Sequence, residues 1–93
     1  MPRPEIQQIR NLVRALNYVV TIHATEELDD DNLTIFDLEN ILLTGRIIAR
    51  QRDRATREVK CVVRGTALDG AAAEAIVKIG PTGTLVVITV YVE

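Results

Sequence analysis

The stretch LTIFDLENILLTGRIIARQR, Leu33 to Arg52, decides the fold, because the hydrophobic period changes inside it. Thr34 and Asp37 stand at the spacing of a capping box, in which each side chain takes the other residue's backbone N–H. Leu33 before the cap and Leu38 after it supply a hydrophobic staple. Leu38, Ile41 and Leu42 recur at helical steps, so a helix is predicted over residues 35–44, with Gly45 as its stop. From Arg46 the period is two. Arg46-Ile47-Ile48-Ala49-Arg50-Gln51-Arg52 reads as a strand with Arg46, Arg50 and Arg52 on one face.

Downstream the pattern stays with strands and turns. Arg57 to Arg64, Ala73 to Ile79 and Leu85 to Val92 are strand-like, separated by an Asp69-Gly70 turn and a Gly80-Pro81-Thr82-Gly83 turn. The last of them is apolar on both faces and is expected to be central. Four strands joined by short loops predict an antiparallel meander. A three-residue loop at Arg54 to Thr56 would set Arg50 opposite Lys60 and Arg46 opposite Arg64. A loop of two or four residues would scatter these charges over both faces.

Upstream, Pro2 and Pro4 suit a first helical turn. Ile6, Ile9, Leu12, Val13 and Leu16 form an apolar stripe from about residue 4 to 16, beside a polar ridge of Arg3, Gln7, Arg10 and Arg14. Tyr18 to Ile22 is β-branched and reads as a short strand. Thr21 is placed to cap a helix beginning near His23, and Asn32 to stop it in the left-handed conformation. The expected fold class is therefore α+β: N-terminal helices packed on a mainly four-stranded antiparallel sheet, as one domain over residues 1–93.

Composition narrows the function. Hydrophobic residues are 47% of the chain and aromatics 3%, so the core is aliphatic and there is no aromatic platform for stacking bases. The single cysteine, Cys61, excludes an internal disulfide. No charged-then-apolar segment opens the chain and no apolar run approaches the ~20 residues of a membrane span, so a cytoplasmic setting without a membrane partner is expected. One His and one Cys far apart give no metal-ligand spacing, and no phosphate-binding glycine loop is present, so neither a metal nor another cofactor is expected. Charge is segregated: seven acids and no base lie between Glu26 and Glu39, and seven bases with two acids between Arg46 and Arg64.

His23 is the titratable residue that stands out, since a helix N-terminus disfavours imidazolium and a neutral imidazole is what a general base requires. The segments TIHA (Thr21 to Ala24), ILLTGRII (Ile41 to Ile48), KCVVRG (Lys60 to Gly65) and VVITVY (Val86 to Tyr91) together resemble the bacterial family called domain of unknown function 4258, over about residues 18–92. That resemblance implies a RelE-like, barnase-like toxin fold, an antitoxin-like partner, and mRNA cleavage as a candidate activity. His23, Arg64, Thr89 and Tyr91 match family positions. Family members typically carry arginines after the His-Ala pair and a glycine before the next cap. Here those positions hold Glu27, Asp31 and Asn32.

Two functions follow as expectations. The first is a small interaction module of toxin-like fold, its acidic helix and basic sheet complementary to a partner protein or to a second copy. A homodimer would also cover the sheet face that the helices leave open. The alternative is a metal-independent endoribonuclease with His23 as general base, Arg64 and Lys60 on the phosphate and Tyr91 as proton donor. RNA would then lie along Arg46, Arg50 and Arg52.

Overall fold

The computed structural model describes residues 4–93, so Pro2 and Arg3 of the expected first turn lie outside the described residues. The elements are α1 (Ile6–Arg14), β1 (Tyr18–Val20), α2 (Ile22–Asp30), α3 (Ile35–Thr44), β2 (Arg46–Arg52), β3 (Val59–Thr66), β4 (Ala72–Ile79) and β5 (Leu85–Val92). The sheet has five strands in the order β1-β5-β4-β3-β2. β2 to β5 form the expected antiparallel meander, while β1 adds to β5 in parallel, Tyr18 beside Leu85 and Val20 beside Val87. The expectation of four antiparallel strands is thus corrected to a mixed sheet of five. The parallel pairing needs a long crossover, and α2, α3 and the meander supply it. β5 lies second from an edge, and β4 occupies the centre.

Local rules account for the helix boundaries. The capping box is present: Thr34 Oγ1 accepts from the Asp37 N–H at 3.2 Å, and Asp37 Oδ2 accepts from the Thr34 N–H at 2.8 Å. These bonds and one from the Leu68 N–H hold the Asp37 carboxyl below its ordinary pKa. Thr21 caps α2 by accepting from the Ala24 N–H at 3.1 Å. Asn32, at φ 55°, closes α2, with the Leu33 N–H donating back to the Leu28 carbonyl. Leu16 does not continue the α1 stripe. It takes the same left-handed stop at φ 56°, with the Asn17 N–H bonded to the Leu12 carbonyl, and its side chain points to solvent.

The helices cover one face of the sheet. Ile9 and Val13 of α1, Ala24 and Leu28 of α2, and Leu38, Ile41 and Leu42 of α3 pack on Cys61, Val63, Ala73, Ala75, Val77, Leu85, Val87 and Val90. Gly45 ends α3 in extended backbone (φ −81°), so conformational freedom is not its purpose. Its purpose is close approach. A Cβ on Gly65 would sit 2.1 Å from the Ile41 carbonyl oxygen, and one on Gly45 would sit 2.5 Å from the same atom. Two glycines let the last turn of α3 lie against the backbone of β3.

Candidate functional site

The second sheet face carries no helix, and its largest polar network gathers at one end. The register aligns Arg46 of β2 with Arg64 of β3, Arg64 with Glu74 of β4, and Glu74 with Tyr91 of β5. These four side chains form one cross-strand row. Arg64 donates to Glu74 Oε2 from Nε at 3.1 Å and from Nη2 at 2.8 Å, and its Nη2 also donates to Glu93. The Tyr91 hydroxyl donates to Glu74 Oε1 at 2.5 Å.

Glu74 is the hub and is 7% exposed. Hydrogen bonding with the Glu93 carboxyl, then with Tyr91 and Arg64, holds its pKa at about 2. The same contact with Glu74 raises the pKa of Glu93, so the two carboxyls compete for one proton. Tyr91 is pushed above its ordinary value by its bond to Glu74. Glu74 and Glu93 escaped the sequence reading. The signal available was a lone acid in the apolar run Ala71 to Val77, where a buried carboxylate requires a partner.

The other sequence-selected residues lie elsewhere. Lys60 is on the same face but four residues along β3 from Arg64, ~13 Å at strand rise. It sits at the end of the sheet where Lys78 pairs with Glu58 at 3.2 Å. An open groove there runs from Pro4 and Gln8 to Arg57 and Pro81. Arg46, Arg50 and Arg52 do not share a face. A register shift between Ile47 and Ala49 sets Arg50 beside Cys61 and Arg52 beside Val59, turning both toward the helix side while Arg46 stays on the open side. Arg46 does pair with Arg64, but the pairing of Arg50 with Lys60 is replaced. The connecting loop spans six residues, 53–58, with Asp53 accepting from the Ala55 and Thr56 N–H groups. Arg50 donates to the Pro4 carbonyl at 3.1 Å and so anchors the start of α1. Burial raises the pKa of the adjacent Cys61 thiol.

His23 occupies the first turn of α2, as expected, with its side chain 67% exposed and Nε2 3.3 Å from Glu27 Oε1. The same Glu27 oxygen accepts the Val90 N–H at 3.1 Å, and Asp31 Oδ2 accepts the Val92 N–H at 3.4 Å. His23, Glu27 and Asp31 recur every four residues and line the free edge of β5. Arg64 is two strands further in, ~10 Å from β5 at ordinary strand spacing. The structure therefore joins Arg64 and Tyr91 through Glu74, and leaves His23 and Lys60 apart from them.

Within the row Arg64 is saturated, whereas Arg46 is exposed and makes no ion pair among the described residues. The Arg64 guanidinium already faces two carboxylates, and an incoming phosphate would have to displace them. Among the described residues no group of three or more His, Cys, Asp or Glu side chains is placed to hold a metal ion, and no helix is long and apolar enough to cross a membrane.

Three helices on one face of a five-stranded mixed sheet, with a charged cross-strand row on the other, define an α+β domain of one open face. Residues 20–92 match the family model described as domain of unknown function (DUF4258), and the chain belongs to that family. No curated protein and no solved structure matches it.

Proposed function

We propose that this chain is a non-catalytic interaction module that associates through the open face of its sheet. The observation that carries this is the state of Arg64. The arginine that the endoribonuclease reading places on the phosphate is held by Glu74 and Glu93 instead. The endoribonuclease alternative has less support, because its base, His23, and its second cation, Lys60, stand apart from that arginine. The toxin-like scaffold and an antitoxin-like partner rest on the resemblance alone.

The open face also offers a surface. Ala49, Val62, Ile76 and Thr89 form an uncharged row across its middle, with Val86 and Val19 beside it. Val19 is 51% exposed. A second copy stacked face to face, about a twofold axis along the strands, would cover this row. The 34 strand residues, at ~3.3 Å by ~4.8 Å each, give roughly 540 Å² per partner, below the ~800 Å² of a standard interface, so a weak dimer is expected.

Light scattering up to ~100 μM tests this, a range above a micromolar dissociation constant. Wild type is expected to dimerise and Ile76→Glu to remain monomeric. A wild-type monomer throughout would remove the homodimer. In parallel, expression of wild type and His23→Ala in a bacterium is expected to leave growth and transcripts equal. Arrest by wild type alone would favour the nuclease.

A further inference from the structure

We infer that the outer edge of β2 is a docking strand for an acidic, extended segment of another protein, which adds to the sheet as a sixth strand. The two edges of this sheet are treated in opposite ways. β1 covers β5 only from Leu85 to Val87. Beyond that point the backbone of β5 is closed by side chains: Glu27 takes the Val90 N–H, Asp31 takes the Val92 N–H, and Thr21 Oγ1 donates to the Ile88 carbonyl at 3.2 Å. Unpaired strand edges are templates for pairing, and here three side chains occupy one.

β2 has no such cover. It runs for seven residues, and among the described residues no hydrogen bond from another element reaches its outward backbone. Its rim is basic. Arg46, Arg52, Arg54 and Arg57 are exposed and make no ion pair among the described residues, whose five salt bridges use other groups. Ile48, set out of register by the bulge, adds an exposed apolar side chain.

Charge selects the occupant. Antiparallel pairing of β2 with β2 of a second copy would set arginine against arginine, which destabilises a strand pair. The acidic run of this chain is no candidate, because Glu26 to Glu39 is committed to α2 and α3. What remains is a foreign extended strand with acidic side chains on both faces, since Arg46 and Arg52 stand on opposite ones, with backbone ladder bonds for affinity and the arginines for selectivity. This surface is separate from the open face, so a monomer in light scattering leaves it intact.

The probe is a labelled nine-residue peptide of glutamate and threonine with glutamates at both odd and even positions, added to the intact chain, with amide hydrogen exchange read residue by residue. Binding below ~1 mM is expected, with exchange of β2 amides slowed about tenfold or more and β5 unchanged. Arg52→Glu with Arg54→Glu should weaken binding about tenfold. The same peptide N-methylated at alternate amides keeps its charge but loses the ladder, and should not bind. Equal binding of the N-methylated or a lysine–threonine peptide would overturn the proposal. So would tighter binding of a uridine oligonucleotide, protection at β5 in place of β2, or protection of β2 by a second copy without peptide.

Discussion

Replacing Gly65 by Ala tests whether the approach of α3 to β3 is the device that positions both sheet faces. The added Cβ would lie 2.1 Å from the Ile41 carbonyl oxygen, 2.9 Å from its carbon and 3.0 Å from the Gly45 Cα. Even weak C–H···O contacts keep ~3.3–3.6 Å, so α3 must withdraw by more than ~1 Å. It would carry Leu38, Ile41 and Leu42 with it, all fully buried. Overpacking costs ~1–3 kcal/mol and occasionally more, and the obstacle here is backbone, so about 3 kcal/mol is expected. At ~4–8 °C per kcal/mol for a domain of this size, the melting temperature should fall by roughly 12–24 °C. Thermal and urea unfolding followed by circular dichroism measure it. Gly83→Ala is the control: φ is 87° and no atom lies within 4 Å, leaving only the left-handed backbone cost of ~1–2 kcal/mol. A Gly65→Ala protein within about 1 kcal/mol of wild type would refute the close-approach account.

Glu27→Ala removes the acceptor of the Val90 N–H and should cost ~1–3 kcal/mol in urea unfolding, whereas Glu27→Gln keeps an acceptor and should recover most of it. In acid, Glu74 contributes stability that is complete above its ordinary pKa of 4.5 and lost as pH falls toward about 2. Glu93, shifted upward, contributes in the opposite sense, its share present in acid and lost as pH rises through its folded pKa. Urea midpoints between pH 5 and pH 2 should therefore fall less steeply in Glu74→Gln than in wild type. In alkali, burial and then the 2.6 Å bond to Glu39 hold Tyr18 at about 12. The stability it contributes is complete below pH 10 and lost as pH climbs toward about 12. Tyrosinate absorbance should show this late titration, and Glu39→Gln should bring it earlier.

What was legible in the sequence was local. The capping box at Thr34, the Thr21 cap, the Asn32 stop and the meander each depend on residues within a turn or a hairpin of one another. The pairing of Arg46 with Arg64 was expected from a three-residue loop, but the structure reaches it through a six-residue loop and the bulge together. Two features were not legible. β1 joins β5 across more than sixty residues of chain, and nothing in Tyr18 to Val20 names its partner. The bulge between Ile47 and Ala49 moves Arg50 from a supposed RNA face to a structural bond with Pro4, and period-two reading has no means of seeing an inserted residue.

The four segments that carry the family likeness meet in two pairs. ILLTG and KCVVRG touch where Gly45, Gly65 and the Ile41 carbonyl converge. TIHA and VVITVY touch where Thr21 donates to Ile88, and Glu27, one turn after His23, takes the Val90 N–H. The likeness thus reports the contacts that build the sheet and close one edge of it, and these contacts do not by themselves require a reaction. Glu27 and Asp31, where the resemblance implies arginines, fall on that same edge. An arginine has donors only and cannot accept an amide N–H. A chain with arginines at both positions would present cations along β5 and leave the Val90 and Val92 amides to other groups. In this chain the carboxylates satisfy those amides, and Glu27 also pairs with His23. The carboxylates beside the histidine therefore also seal the strand edge, and leave β2 as the sheet's long uncovered edge among the described residues.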